Sequence, residues 1–123
     1  MKAEGIMKDY SWSDLNEAAM NIILFAGDAR KLICEAIDLV EENQDYTMVE
    51  TMLEQARELI VKAHGIQTDV IQSTVTDENQ RANLLFTHAQ DTLMSVQSER
   101  MMVKNMIRLF RLSLGEKTNA PDR

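Results

Sequence analysis

Residues 13–42, SDLNEAAMNIILFAGDARKLICEAIDLVEE, decide the fold class. Within them Leu15, Ala19, Ile22, Ala26, Ala29, Ile33, Ala36 and Val40 recur in alternating steps of four and three. That spacing draws one stripe down a helix and does not suit a strand, whose faces alternate every second residue. Ser11 with Asp14, or Ser13 as N-cap, is placed to start it. Gly27 lies inside the stripe, where glycine costs about 1 kcal/mol against alanine, and reads as a point of close helix approach.

Working outward, Asn43-Gln44-Asp45-Tyr46 carries no stripe and reads as a short connection. Thr47 and Glu50 form a Thr-x-x-Glu capping box before a second stripe of Val49, Leu53, Ala56, Ile60, Ala63, Val70 and Ile71, interrupted by Gln67. The second helix is expected to fade near 74–76, ahead of the turn Asp77-Glu78-Asn79. A third stripe of Ala89, Leu93, Val96, Val103, Ile107, Phe110 and Leu114 begins near Asn83 and stops at Gly115. The sequence therefore predicts an all-α chain with helices over about 13–42, 47–74 and 83–114 and loose termini. Short connections set the helices antiparallel, as a single-domain three-helix bundle over 1–123. Four glycines and one proline are too few for a turn-rich β fold.

A net charge of −7 argues against nucleic acid, whose binding energy comes mainly from Lys and Arg on phosphates. It argues equally against anionic membrane surfaces and leaves open protein partners with a basic docking face. The start shows no basic stretch followed by an apolar one, so no signal peptide is expected. The most apolar run, 18–29, is too short to span a bilayer, so no membrane insertion is expected. One cysteine, Cys34, excludes an internal disulfide and fits a reducing, cytoplasmic compartment. In mid-helix, Cys34 reads as a small packing residue.

The third helix carries a second stripe: His88, Thr92, Ser95 and Glu99, continuing into Met102, Met106 and Leu109. Its first half is polar and its second apolar. A lone bundle needs one buried face per helix, so the apolar half points to contact with another chain; a wide, Met-filled core stripe is the plainer alternative. Two histidines are available for chemistry. His88 and Asp91 are neighbours at i and i+3, and a carboxylate there can orient an imidazole and stabilise charge developing on it. His64 has Gln67 and Thr68 one turn away, and reads either as a second polar patch facing the first or as a satisfied core histidine. On spacing alone, a solvated face is the commoner meaning of such residues. One Cys and two distant His do not make a zinc site, and no phosphate loop or nucleophile elbow occurs.

Ala26-Gly27-Asp28-Ala29-Arg30, Ala63-His64-Gly65-Ile66-Gln67-Thr68 and His88-Ala89-Gln90-Asp91-Thr92-Leu93-Met94 resemble, in order, three signatures of the lactose/cellobiose-type enzyme IIA of the sugar phosphotransferase system. The likeness runs from Leu15 to Leu114. It implies a three-helix protomer that assembles as a homotrimer. It also implies that His88 accepts a phosphoryl group from HPr and passes it to a cysteine of enzyme IIB. Asp91 would lie at the trimer axis with a divalent cation, usually magnesium. His64, Gln67 and Gln90, from this or a neighbouring chain, are candidate donors to the phosphoryl oxygens or to partners, from their polarity and spacing. Ala89 in the motif points to a cellobiose or chitobiose system over lactose. Two positions depart from the family: Thr92 stands where histidine is usual, and Ser73-Thr74-Val75-Thr76 replaces the usual loop after the second helix. The alternatives are a regulatory relative with the same fold and a non-enzymatic helix-binding module.

Overall fold

The computed structural model describes residues 10–42, 46–76 and 83–116, with side chains for all of them except 74–76. These residues form three α-helices and no strand: α1 (Trp12–Glu42), α2 (Tyr46–Thr76) and α3 (Leu84–Ser113). The all-helical class stands as expected. The turn at 77–79 and the loose ends assigned to 1–9 and 117–123 lie outside the described residues.

Side-chain rungs between the helices give their directions. The Asn83 amide donates to Asn16 at 2.9 Å, and Arg30 grips Glu99 at 2.7 and 2.8 Å. Residue numbers thus rise together along α1 and α3, which are parallel. Across α2 and α3 they run in opposition: His64 meets Gln97, Arg100 reaches the Leu53 carbonyl and Arg111 meets Glu50. The bundle is up-down-up. Of the 19 buried apolar residues eight are alanine, five of them on α1. Small side chains let axes approach closely, so α1 can nest against both neighbours.

Local chemistry sets the ends. Ser11 Oγ accepts from the Asp14 N–H at 3.0 Å while Asp14 accepts from the Ser11 N–H at 3.1 Å, so Ser11, not Ser13, caps α1. The Asn83 side chain accepts from Phe86 N–H at 2.7 Å and caps α3. At the far end Gly115 takes a φ of +84°. Its N–H reaches the Leu112 carbonyl at 3.0 Å and the Glu116 N–H reaches that of Arg111 at 3.1 Å. This paired closure needs a left-handed residue, hence glycine.

Several sequence expectations are corrected. Tyr46 belongs to α2, because the Arg111 guanidinium sits 4.3 Å over its ring and ties it to α3. Thr47 is consequently inside the helix, its carbonyl accepting from the Thr51 hydroxyl, and does not cap it. Residues 73–76 are the last turn of α2, not a loop. Gly27 is exposed, and a Cβ there would meet nothing within 4 Å, so it marks no helix approach inside the protomer. It follows Ala26 by one position, about 100° round the helix, and so faces away. Cys34 is exposed rather than packed. Ile71 is exposed because Val70, about 100° away, takes the inward place. Phe110 and Leu114 are exposed because α2 begins at Tyr46 and leaves the end of α3 little to pack on. The core position between Val96 and Val103, absent from the stripe, is filled by Arg100. That residue is buried to 6% exposure, its Nε donating to the Leu53 carbonyl at 3.0 Å. Its aliphatic stem does the packing.

Candidate functional site

The inner face of α3 is set by Phe86, Ala89, Leu93, Val96, Arg100 and Ile107, all buried. Everything else on that helix is placed relative to this face by about 100° per residue. Glu99 turns toward α1, where Arg30 holds it, and Gln97 turns toward α2, where His64 meets it. His88 is eleven residues before Glu99, about three whole turns, and so lies on the α1 flank. It is exposed.

The two histidines differ sharply in what holds them. His64 is half-buried, with Nδ1 3.1 Å from Gln67 Oε1 and Nε2 2.7 Å from Gln97 Oε1. Each ring nitrogen thus faces a glutamine amide oxygen; a neutral ring donates to one of them, and its other nitrogen is served when the facing amide is turned to present its NH2 group. The His88 ring has no hydrogen-bond or ion-pair partner among the described residues; only its backbone carbonyl is used, accepting the Thr92 hydroxyl at 3.0 Å. Asp91 is exposed and makes no hydrogen bond or ion pair to His88. The two are neighbours on the helix surface, as i and i+3 require, but the carboxylate does not hold the ring.

The structure brings together His88, Asp91 and Thr92 and separates the rest. Gln90, two positions on, points about 200° round α3 and shares no face with His88. The His64–Gln67–Gln97 cluster centres on Gln97, about half a turn round from His88 and about 13 Å further along the axis. His64 and Gln67 therefore do not reach His88 within the chain, and the second polar patch does not face the first. Sequence reading missed Gln97, the true partner of His64, and the Arg30–Glu99 pair. The hole at position 100 in the third stripe was the one available signal for Arg100.

Beyond the polar half, Met102, Met106 and Leu109 are 63%, 58% and 57% exposed on the outward side of α3. They are not a wide core stripe. Among the described residues no group of three or more His, Cys, Asp or Glu could hold a metal within one chain. No described helix is long and apolar enough to cross a membrane.

Residues 17–111 match the family model for the lactose/cellobiose-specific IIA subunit of the phosphotransferase system. The chain is 29% identical over 96 residues to the N,N'-diacetylchitobiose-specific EIIA component of Escherichia coli K12, covering 78% of this chain and 82% of that protein. It is 32% identical over 97 residues to the lichenan-specific phosphotransferase enzyme IIA component of Bacillus subtilis 168, covering 79% and 87%. The crystal structure of PtcA from S. mutans superposes with a TM-score of 0.75 at 33% identity, over 80% of this chain and 96% of that one.

Proposed function

The chain belongs to the lactose/cellobiose-specific IIA subunit family of the phosphotransferase system, and from that premise we propose that His88 is its phosphoacceptor. The observation that carries the assignment is the contrast between the histidines. A nucleophile needs a nitrogen lone pair in reach of its electrophile; both nitrogens of half-buried His64 are covered by glutamine amides, whereas His88 has neither covered and stands in solvent.

A nitrogen of neutral His88 attacks the phosphorus carried by HPr. The new N–P bond forms as the bond to HPr breaks, and that bond's electron pair leaves with HPr. In the second step a cysteine thiolate of enzyme IIB attacks the same phosphorus, and the electron pair of the N–P bond returns to His88. Such transfers depend on alignment and charge stabilisation more than on covalent machinery. An exposed histidine on a rigid helix offers in-line approach to two different proteins in turn. Partners with basic docking faces suit a chain of net charge −7. The system takes up a disaccharide of cellobiose, chitobiose or lactose type, and the chain works in the cytoplasm.

We further propose a homotrimer built on the outward face of α3. Met102, Met106 and Leu109 supply its apolar seam. Asp91 shares that side of the helix, so one carboxylate per chain reaches the axis. One chain offers a single ligand there, which fits a cation only when symmetry gathers three. Unit charges about 4 Å apart repel by about 4 kcal/mol at an effective dielectric near 20, so three close carboxylates carry about 12 kcal/mol. A bound magnesium ion would supply the compensating positive charge, with Asp91 and water as oxygen ligands.

Phosphorylation by enzyme I, HPr and phosphoenolpyruvate, read by mass spectrometry under mildly basic conditions, tests the assignment. Acid-labile phosphate is expected on His88 and is lost completely in His88→Ala; phosphate on His64 would refute it. Sedimentation equilibrium with and without chelator tests the axis. The wild type should need the cation, and Asp91→Leu should remain a trimer without it.

A further inference from the structure

We propose that the α2 flank of α3, in its second half, docks an amphipathic helix of a partner protein that sets two acidic residues between apolar ones. Between Glu99 and Glu116 the sequence holds four cations, Arg100, Lys104, Arg108 and Arg111, and no acidic residue. A chain of net charge −7 thus carries one locally basic stretch, and local charge, more than net charge, decides what a surface attracts.

Gln97 meets His64 and Arg111 meets Glu50, which fixes this flank of α3 against α2. Steps of four, three, four and four lead from Gln97 through Met101, Lys104 and Arg108 to Leu112, so helix geometry puts them in one stripe. Met101 is half-buried and Leu112 exposed. The cations between and around them are unequally matched. Glu54 on α2 is held below its ordinary carboxyl range, first by hydrogen bonding from Arg57 and then by the charges of Arg57, Arg100 and Lys104, against slight desolvation. Arg111 is shared between Glu50 and Glu116. Arg108 makes no hydrogen bond or ion pair among the described residues, and its Nε is buried without an acceptor. Arg108 is the cation left over.

A helix laid along this stripe matches it turn for turn. Residues four apart on any helix are about 6 Å apart along the axis, so Glu-x-x-x-Glu sets one carboxylate beside Lys104 and one beside Arg108. A guanidinium takes a carboxylate through two parallel hydrogen bonds, and apolar residues one turn further out reach Met101 and Leu112. A bilayer fits less well, because Glu50 and Glu54 stand in the same groove and would face its phosphates. A helix places its side chains between them. The proposed trimer leaves the stripe open: Lys104 and Arg108 lie about 130–170° round α3 from the middle of the Met102, Met106 and Leu109 seam. They are also about 24–30 Å along α3 from His88 and on its other side, so this inference does not rest on the phosphoacceptor reading.

The test titrates the full chain into a fluorescein-labelled helical peptide carrying Leu-x-x-Glu-x-x-x-Glu-x-x-x-Leu and follows fluorescence anisotropy. Binding is expected, and a peptide with lysine at both glutamate positions should not bind. Arg108→Glu should weaken binding at least tenfold, as should high salt, whereas Arg108→Lys should stay within about threefold of wild type. Circular dichroism and sedimentation should show Arg108→Glu folded and in the oligomeric state of the wild type, with phosphate uptake on His88 unchanged. No binding at about 1 mM chain, or binding indifferent to Arg108→Glu, overturns the proposal. An oligomer dissociated by Arg108→Glu would assign the stripe to contact between copies, and lost phosphate uptake would assign it to the HPr contact; either overturns it. So does binding of phosphatidylglycerol vesicles that Arg108→Glu abolishes, which would assign the stripe to a lipid surface.

Discussion

The outward side of α3 is two surfaces in series, and they meet near Glu99. Before it, His88, Asp91, Thr92 and Ser95 present rings, carboxylate and hydroxyls; after it, Met102, Met106 and Leu109 present only apolar groups. Both halves stand on one helix and both turn away from the same core, so core packing explains neither. What differs is how long each must stay dry. The phosphoacceptor proposed at His88 has to remain wettable between visits by its partners, and the Asp91 carboxylate proposed for the axis keeps water about it, whereas apolar side chains exposed in a row call for lasting dry cover. Glu99 itself is tied to α1 by Arg30, and Arg100 is anchored behind it on α2, so the boundary is braced on both sides.

The strongest way to break this distinction is to make the second half resemble the first. Met102→Glu with Leu109→Glu should dissociate the proposed trimer, with association weakened more than a hundredfold, because like charges would be buried facing one another. Sedimentation equilibrium at tens of micromolar reads this, and circular dichroism should show the helices intact. A variant still trimeric would mean that the apolar half is not the seam.

A smaller effect is expected from within. Arg100→Ala removes a packed stem and the donor to the Leu53 carbonyl, and should cost about 1–3 kcal/mol in urea unfolding. His88 should still accept phosphate in the folded variant. Loss of phosphoacceptance by a folded Arg100→Ala protein would show the two halves to be coupled.

The smallest effect belongs to the brace at the boundary. Hydrogen bonds from Arg30 hold the Glu99 carboxyl below its usual pKa, against an opposing contribution from partial burial. The pair therefore contributes stability above the ordinary glutamate range and loses it as pH falls through the lowered value. Both side chains are more than 40% exposed, so the whole contribution should be under about 1 kcal/mol. Glu99→Gln should be slightly less stable than wild type near neutral pH and indistinguishable in acid. A stability gap that widens toward acid would contradict the origin assigned to it.

Local features were legible in the residues alone. The four-and-three spacing from Leu15 to Ala36 identified the buried face of α1, because helix periodicity is a property of adjacent turns. Ser11–Asp14 and Gly115 were legible for the same reason, each depending on groups within a few residues. The His-Ala-Gln-Asp motif singled out His88, but its partners were harder: Gln90 looked close in sequence and points the other way. The start of α2 was misread because its Tyr46 is secured by Arg111, which is remote in the chain.

By itself, then, the sequence determined three helices, which face of each turns inward over most of its length, and the histidine that matches a phosphocarrier motif. Only the tertiary structure decided that His64 is closed off by Gln97, that Arg30 is occupied by Glu99, and that Cys34 and Gly27 face solvent. The reason is physical. Periodicity and capping are settled within one or two turns of a single helix, whereas the partner of a polar side chain depends on which residue of another helix arrives at the same level and flank.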